Sequence, residues 1–339
     1  MAKERIVYID FMKGLCILLV VSFHIHSTAL SKHVNDILQQ FRIPMYFFLS
    51  GLFFKTYNGF GDFVRKKVNN IIIPMVFFLL IGTVYIFGRS MLMTHMNITA
   101  ALHKMPLNPI DNNTPMWFLL VLFEVNIMYY LLQQYLPRLW TNIVAIGLSV
   151  IGYIVVYNGY NLVLYFDIAL VALPYFILGS EAKQHGLLTR GPSLAVRLAM
   201  VVGVFVLLWF LASEINMKHR VYPDYLRLYL LPAVSIFALL FVCQYIKRPV
   251  PVISYIGRYS LIVLGTHYFL IGPLKILILK LLTAPFSFTH YLIVLVCVIA
   301  FELPIIHLLK KYLPRLTAQK EFLLEGWRLS WQHEDKTNY

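Results

Sequence analysis

Asp10, Lys13 and His24 lie in the first apolar stretch of the chain, RIVYIDFMKGLCILLVVSFHIHS. On a helix, ten intervening residues put Lys13 and His24 ~20° apart and ~16 Å along the axis. Asp10 falls ~40° from His24 on the other side. Three ionisable side chains thus share one stripe of a helix otherwise built from Ile, Leu, Val and Phe. Such residues inside a bilayer are costly, turn to the protein interior and point to function. The chemistry they offer is specific. Lys13, near one mouth, meets the phosphates of a soluble cofactor, Asp10 orients or balances it, and His24 takes a proton from an acceptor hydroxyl. The plainer alternative is a snorkelling lysine with its aspartate and a histidine bonded to a neighbouring helix.

Three further segments carry candidate residues. In FRIPMYFFLSGLFF, Ser50 and Gly51 make a small, close-packing site, and Arg42 is either an interface anchor or a substrate contact. Trp117 and Glu124, seven residues apart, share one helix face, an aromatic beside a carboxylate that suits a sugar. The alternative is a glutamate paired with a cation between helices. Gly257-Arg258-Tyr259-Ser260 suits a helix start and His267 follows two turns later, as a substrate contact or a hydrogen-bonded core residue. No metal-ligand spacing, phosphate-cradling glycine loop or nucleophile elbow appears in the sequence, so no metal is expected.

The elements that must hold these residues follow from composition. Of 339 residues, 60% are hydrophobic and 13% charged, against ~25% charged in soluble domains. Mean hydropathy is +0.72. The chain reads as an all-α polytopic membrane protein in a lipid bilayer. Ten windows are candidate spans: 6–27, 41–57, 69–88, 116–136, 141–157, 161–180, 196–213, 228–246, 259–281 and 290–312. The net charge of +14 does not imply nucleic acid, because the basic residues lie in short loops. With the N-terminus inside, 20 of the 29 Lys and Arg fall on the inner side, which predicts both termini in the cytoplasm of a multi-pass cell-membrane protein. Residues 89–115 form an outer loop, 1–314 the membrane domain and 315–339 a polar cytoplasmic tail. The first span is read as a retained signal anchor, and Cys16, Cys243 and Cys297 as buried thiols.

Taken together, these segments resemble the acyltransferase family 3 proteins, membrane O-acyltransferases that modify surface sugars. The resemblance covers residues 5–312. It rests on Lys13 and His24, where the family has a basic residue, ten residues, then His; on FRIPMYFFLSGLFF; on Met116-Trp117-Phe118-Leu119; and on Gly257 through Ser260 to His267. The pattern looks most like the fucose 4-O-acetylase-like branch. One departure is in FVRKKVNNIIIP, where Lys67 and Asn70 stand in place of the family's Arg-x-x-Arg pair, so bidentate guanidinium geometry is lost.

The resemblance implies an O-acetyltransferase that takes acetyl-CoA from the cytosol and acts on a sugar hydroxyl of a surface polysaccharide or its lipid-linked precursor. On that reading His24 is general base or transient acyl carrier, with Asp10 and Glu124 as further catalytic carboxylates. Lys13, Arg65, Lys66 and Lys67 hold the cofactor phosphates. Arg42, Ser50, Trp117 and His267 line the acceptor. The rival is a glycoconjugate transporter or flippase, but the chain lacks the repeated halves such proteins often show.

Overall fold

A computed structural model describes residues 6–25, 30–95, 97–103, 105, 108–283 and 285–323. Lys3, Arg5, Arg328, Lys336 and the tail from 324 onward lie outside them. Among the described residues every regular element is helical apart from a single bridge between Asn216 and Val221. Lipid imposes this, since a spanning backbone must satisfy its own hydrogen bonds. The helices are α1 (Val7–Ile25), α2 (Lys32–Gln39), α3 (Arg42–Leu52), α4 (Phe60–Lys67), α5 (Ile73–Met93), α6 (Ile98–His103), α7 (Trp117–Tyr135), α8 (Arg138–Tyr157), α9 (Phe166–Gln184), α10 (Leu194–Leu211), α11 (Tyr225–Cys243), α12 (Pro251–Arg258), α13 (Ser260–Leu282) and α14 (Phe288–Tyr312). A π-helical turn, Val68–Ile72, fuses α4 to α5, and a 3-10 stretch, Pro109–Met116, leads into α7.

Nine helical segments among the described residues are long and apolar enough to cross a membrane. The segment 41–57, expected as one span, differs. Its helix α3 ends at Leu52 and has 11 residues, ~16 Å, too short to cross alone. The short helix α2 precedes it, with Gln40 and Phe41 in right-handed helical backbone angles between the two, and neither helix is among the nine. Polar residues are tolerated there because they face protein. Asn35, Asp36, Gln39 and Gln40 are buried. Gln39 accepts from the Ile215 N–H at 2.7 Å, and Gln40 donates to the Ser213 carbonyl at 2.8 Å. The window 161–180 also shifts, because Leu164 and Tyr165 adopt positive φ and hold back the start of α9 to Phe166.

Contacts sort the helix ends onto two faces. The Tyr8 hydroxyl donates to the Leu188 carbonyl at 2.6 Å, so the start of α1 and the α9–α10 connection share a face, here the N-side. Lys13 lies over the Phe53 ring at 4.6 Å and Arg42 over the Phe23 ring at 4.1 Å. Helix α3 therefore runs antiparallel to α1, from the far side to the N-side.

Glycines set the two tightest helix contacts. A Cβ on Gly51 would sit 1.9 Å from the Phe176 carbonyl oxygen, and one on Gly179 at 1.9 Å from that of Phe48. This locks α3 against the buried helix α9 by backbone contact, the packing small residues permit in membranes. Likewise Gly14 meets Ile253, and Gly257 meets Asp10, which seats α12 on the start of α1. Through α12 this contact fixes the register of α13 against α1.

Candidate active site

That register brings two imidazoles together. His24, half-buried one residue before the end of α1, has its ring centroid 5.3 Å from that of His267 on α13 and 5.9 Å from Tyr268. His267 is fully buried. Its Nδ1 lies 2.7 Å from the Val263 carbonyl, one turn back in its own helix. A carbonyl only accepts, so Nδ1 carries the proton and Nε2 carries a lone pair. That Nε2 is buried without a hydrogen-bond partner among the described residues.

The groups around His24 are cationic or neutral. Arg42, at the start of α3 and 7% exposed, stacks on Phe23, whose ring is 5.5 Å from that of His24. No carboxylate pairs with Arg42 among the described residues. Lys218, from the connection between α10 and α11, is the second cation whose field reaches His24, and it is held by Asp111 at 3.3 Å. The connection is pinned by the Asn216–Val221 bridge and by buried Ile215 and Met217. Asn113 ties the 3-10 stretch before α7 to α5 and α13, donating to the Phe78 and Gly265 carbonyls at 3.2 and 3.0 Å.

The other sequence-derived candidates divide into separate groups. Asp10 and Lys13 sit at the N-side end of α1, Lys13 about three turns and Asp10 about four turns from His24, so the stripe is continuous but its two ends lie in different halves of the helix. Lys13 lies over Phe53, Lys67 lies 5.7 Å from the Phe54 ring, and Lys183 donates to the Phe54 carbonyl at 3.4 Å. Three lysines thus gather at the C-terminal end of α3, where the helix dipole favours cations. Arg65 and Lys66 turn elsewhere. Arg65 pairs with Asp62 and with Glu321 at 3.1 Å, and Lys66 pairs with Glu321. Asn69 holds the same tail segment, accepting from the Phe322 and Leu323 N–H groups and donating to the Leu323 carbonyl. Ser50 donates to the Tyr46 carbonyl at 2.8 Å within its own helix, so its neighbourhood serves packing.

Trp117 is buried, 6.4 Å from the Tyr165 ring. Glu124 Oε2 is buried without a hydrogen bond among the described residues, and Asp167 is a charged group near it. Asp167, fully buried, is bound by Arg220 at 2.6 and 3.1 Å. Sequence reasoning missed this Asp167–Arg220 pair, although an aspartate inside an apolar run was a signal. It also missed Lys218 and Glu321, which reach their partners through loop and tail folding. Among the described residues no three His, Cys, Asp or Glu side chains gather.

Fold and site together define a multi-pass helical membrane protein with a paired-imidazole pocket in one half and a lysine cluster at the opposite mouth. A family model described as an acyltransferase domain matches residues 6–309. The chain belongs to that family and is a membrane acyltransferase. No curated protein and no solved structure matches it.

Proposed function

We propose that this acyltransferase is an O-acetyltransferase that moves the acetyl group of acetyl-CoA to a sugar hydroxyl of a surface polysaccharide or its lipid-linked precursor, in the cell membrane. The excess of Lys and Arg on the N-side makes that face cytoplasmic. CoA phosphates then meet Lys13 and Lys67, and reach Arg65 and Lys66 where their pairs with Asp62 and Glu321 open. His24 is the base. Its ring nitrogen removes the hydroxyl proton as the sugar oxygen attacks the thioester carbonyl. The C–S bond breaks and the departing thiolate takes the proton back from His24. Arg42, a cation beside the base, contacts the substrate and favours negative charge building on the thioester oxygen. Trp117 and Glu124 offer a ring face and a buried carboxylate to the sugar. Asp10 acts at a distance, on the placement of Lys13.

The observation that carries this reading is the setting of His24: an imidazole in an apolar helix, within the field of Arg42 and Lys218 and with no carboxylate against it among the described residues. Membranes bearing the protein are expected to release CoA from acetyl-CoA and to add 42-dalton (~42, one acetyl for one hydrogen) increments to surface glycan. Glycans of unchanged mass in cells with and without the protein would refute it.

A further inference from the structure

A histidine base works only if the nitrogen facing the hydroxyl carries the lone pair, so its other nitrogen must be held as N–H by an acceptor. A carboxylate does this in Ser-His-Asp sites. Among the described residues, those facing His24 are Phe23 on its own helix, His267 and Tyr268 on α13, Arg42 on α3 and Lys218 on the α10–α11 connection. Among the described residues none is a carboxylate. Arg42 and Lys218 are donors only. His267 is different: its Nδ1 proton is committed to Val263, and its Nε2 lone pair is buried with no hydrogen-bond partner among the described residues.

We infer that His267 is the positioning residue for His24: its Nε2 accepts the N–H of the His24 imidazole and thereby fixes the tautomer in which His24 acts as base. The ring separation of 5.3 Å matches a direct N–H···N bond, which at ~2.9 Å between nitrogens puts imidazole centroids ~5 Å apart. The rings are tilted by 49° and the bond is not formed in this structure. A rotation of the half-buried His24 ring closes it, as catalytic hydrogen bonds tighten when substrate binds. A neutral partner suits the place. A carboxylate buried beside Arg42 would pair with it and leave the base, whereas an imidazole of fixed tautomer competes for no cation. The same bond holds the transient imidazolium until the thiolate takes its proton. The polarity is built in by the helix, because Val263 lies one turn before His267 and its carbonyl reaches only Nδ1.

This inference rests on the acetyl-transfer reading, and the test separates the two. Acetyl-CoA turnover is measured in membranes, per inserted protein, for His267→Ala, His267→Gln, His24→Ala and the double alanine variant. Gln places its amide oxygen near the position of Nε2. His267→Ala is expected to lower kcat ~10–100-fold, as for partners that orient a functional imidazole, with KM for acetyl-CoA within about twofold of wild type. His267→Gln is expected to recover most of that loss. The double variant is expected to be no worse than His24→Ala, since residues acting as one unit do not add. A substrate-contact or purely packing role for His267 predicts instead a raised KM, no rescue by Gln, or a multiplied loss in the double variant, and any of these overturns the inference. Full activity in His24→Ala overturns it together with the base assignment.

Discussion

The two polar regions of the molecule differ in how far their charges are already satisfied. Around His24, among the described residues, the Nε2 of His267 has no hydrogen-bond partner and Arg42 has no carboxylate in ion-pair contact. In the N-side patch Arg65 and Lys66 are paired with Asp62 and Glu321, and Asn69 fills its hydrogen bonds with the tail backbone. Leaving a buried polar group unpaired costs ~1–3 kcal/mol, and more for a charge. A fold that carries such groups together in one pocket keeps them for something that arrives. A patch whose charges are paired gains little from a ligand unless the pairs open. The comparison ranks the expected effects of mutation. Loss of far-side groups damages transfer, and loss of N-side groups shifts donor affinity.

The largest effect is expected at His24. Replacing it by Ala should cut acetyl transfer by ~10²–10⁴-fold, the usual worth of a general base, while the protein inserts at its normal level. Mass spectrometry of surface glycan, normalised to inserted protein, reads this directly. Near-normal acetylation would remove His24 from the chemistry.

Arg42 sharpens the contrast between function and stability. A buried charge with no carboxylate in ion-pair contact among the described residues is a liability to the fold, so Arg42→Gln should leave thermal stability in detergent unchanged or raised. Transfer should nonetheless fall by ~10²-fold, as when a donor to a developing oxyanion is lost. If stability drops and the rate per folded molecule holds, Arg42 is an anchor for α3 and nothing more.

Much of this contrast was legible in the chain and some was not. The stripe of Asp10, Lys13 and His24 follows from helical periodicity alone, and so does the pass that carries it. His267 was visible as a residue type, but its meeting with His24 depends on Gly14 and Gly257 letting α12 lie on α1, a contact between segments remote in sequence. The window 41–57 misled because its helix stops at Leu52 and is preceded by KHVNDILQ, a separate and polar helix. Hydropathy cannot tell a polar helix in water from one buried against a loop. Arg65, Lys66 and Lys67 looked like one cluster, yet successive residues on a helix point ~100° apart, and Lys67 joins Lys13 while the other two meet the tail.

On the N-side, Lys13→Ala should raise KM for acetyl-CoA by ~10-fold, the worth of one charge-assisted phosphate contact, with acceptor dependence unchanged. Lys13→Arg should be mild, because it keeps the charge. Added salt should weaken donor binding in the wild type more than in the variant, as exposed charges are screened beyond ~8 Å at physiological ionic strength. Titrations of acetyl-CoA at two salt concentrations check both points. An unchanged KM in Lys13→Ala would leave Lys13 as a helix-end anchor.

The smallest effect has the opposite sign. Glu321 holds Arg65 and Lys66, two of the cations proposed to face CoA phosphates, and it is 37% exposed. Ion pairs of that exposure are worth ~0–1 kcal/mol, so freeing both cations can change donor affinity by no more than about fivefold. Glu321→Gln keeps the size of the side chain and leaves the backbone clamp of Asn69 on Phe322 and Leu323 in place. It should lower KM for acetyl-CoA two- to fivefold (~2–5) without moving kcat. Arg65→Ala should raise KM and should abolish the effect of the Glu321 change, because the carboxylate then has less to compete for. If Glu321→Gln raises KM instead, the tail completes the donor site and the pairing of Glu321 is part of its architecture. If KM stays put in both variants, the donor phosphates bind at Lys13, Lys67 and Lys183 around the end of α3, and the paired cations of α4 serve only to seat the tail.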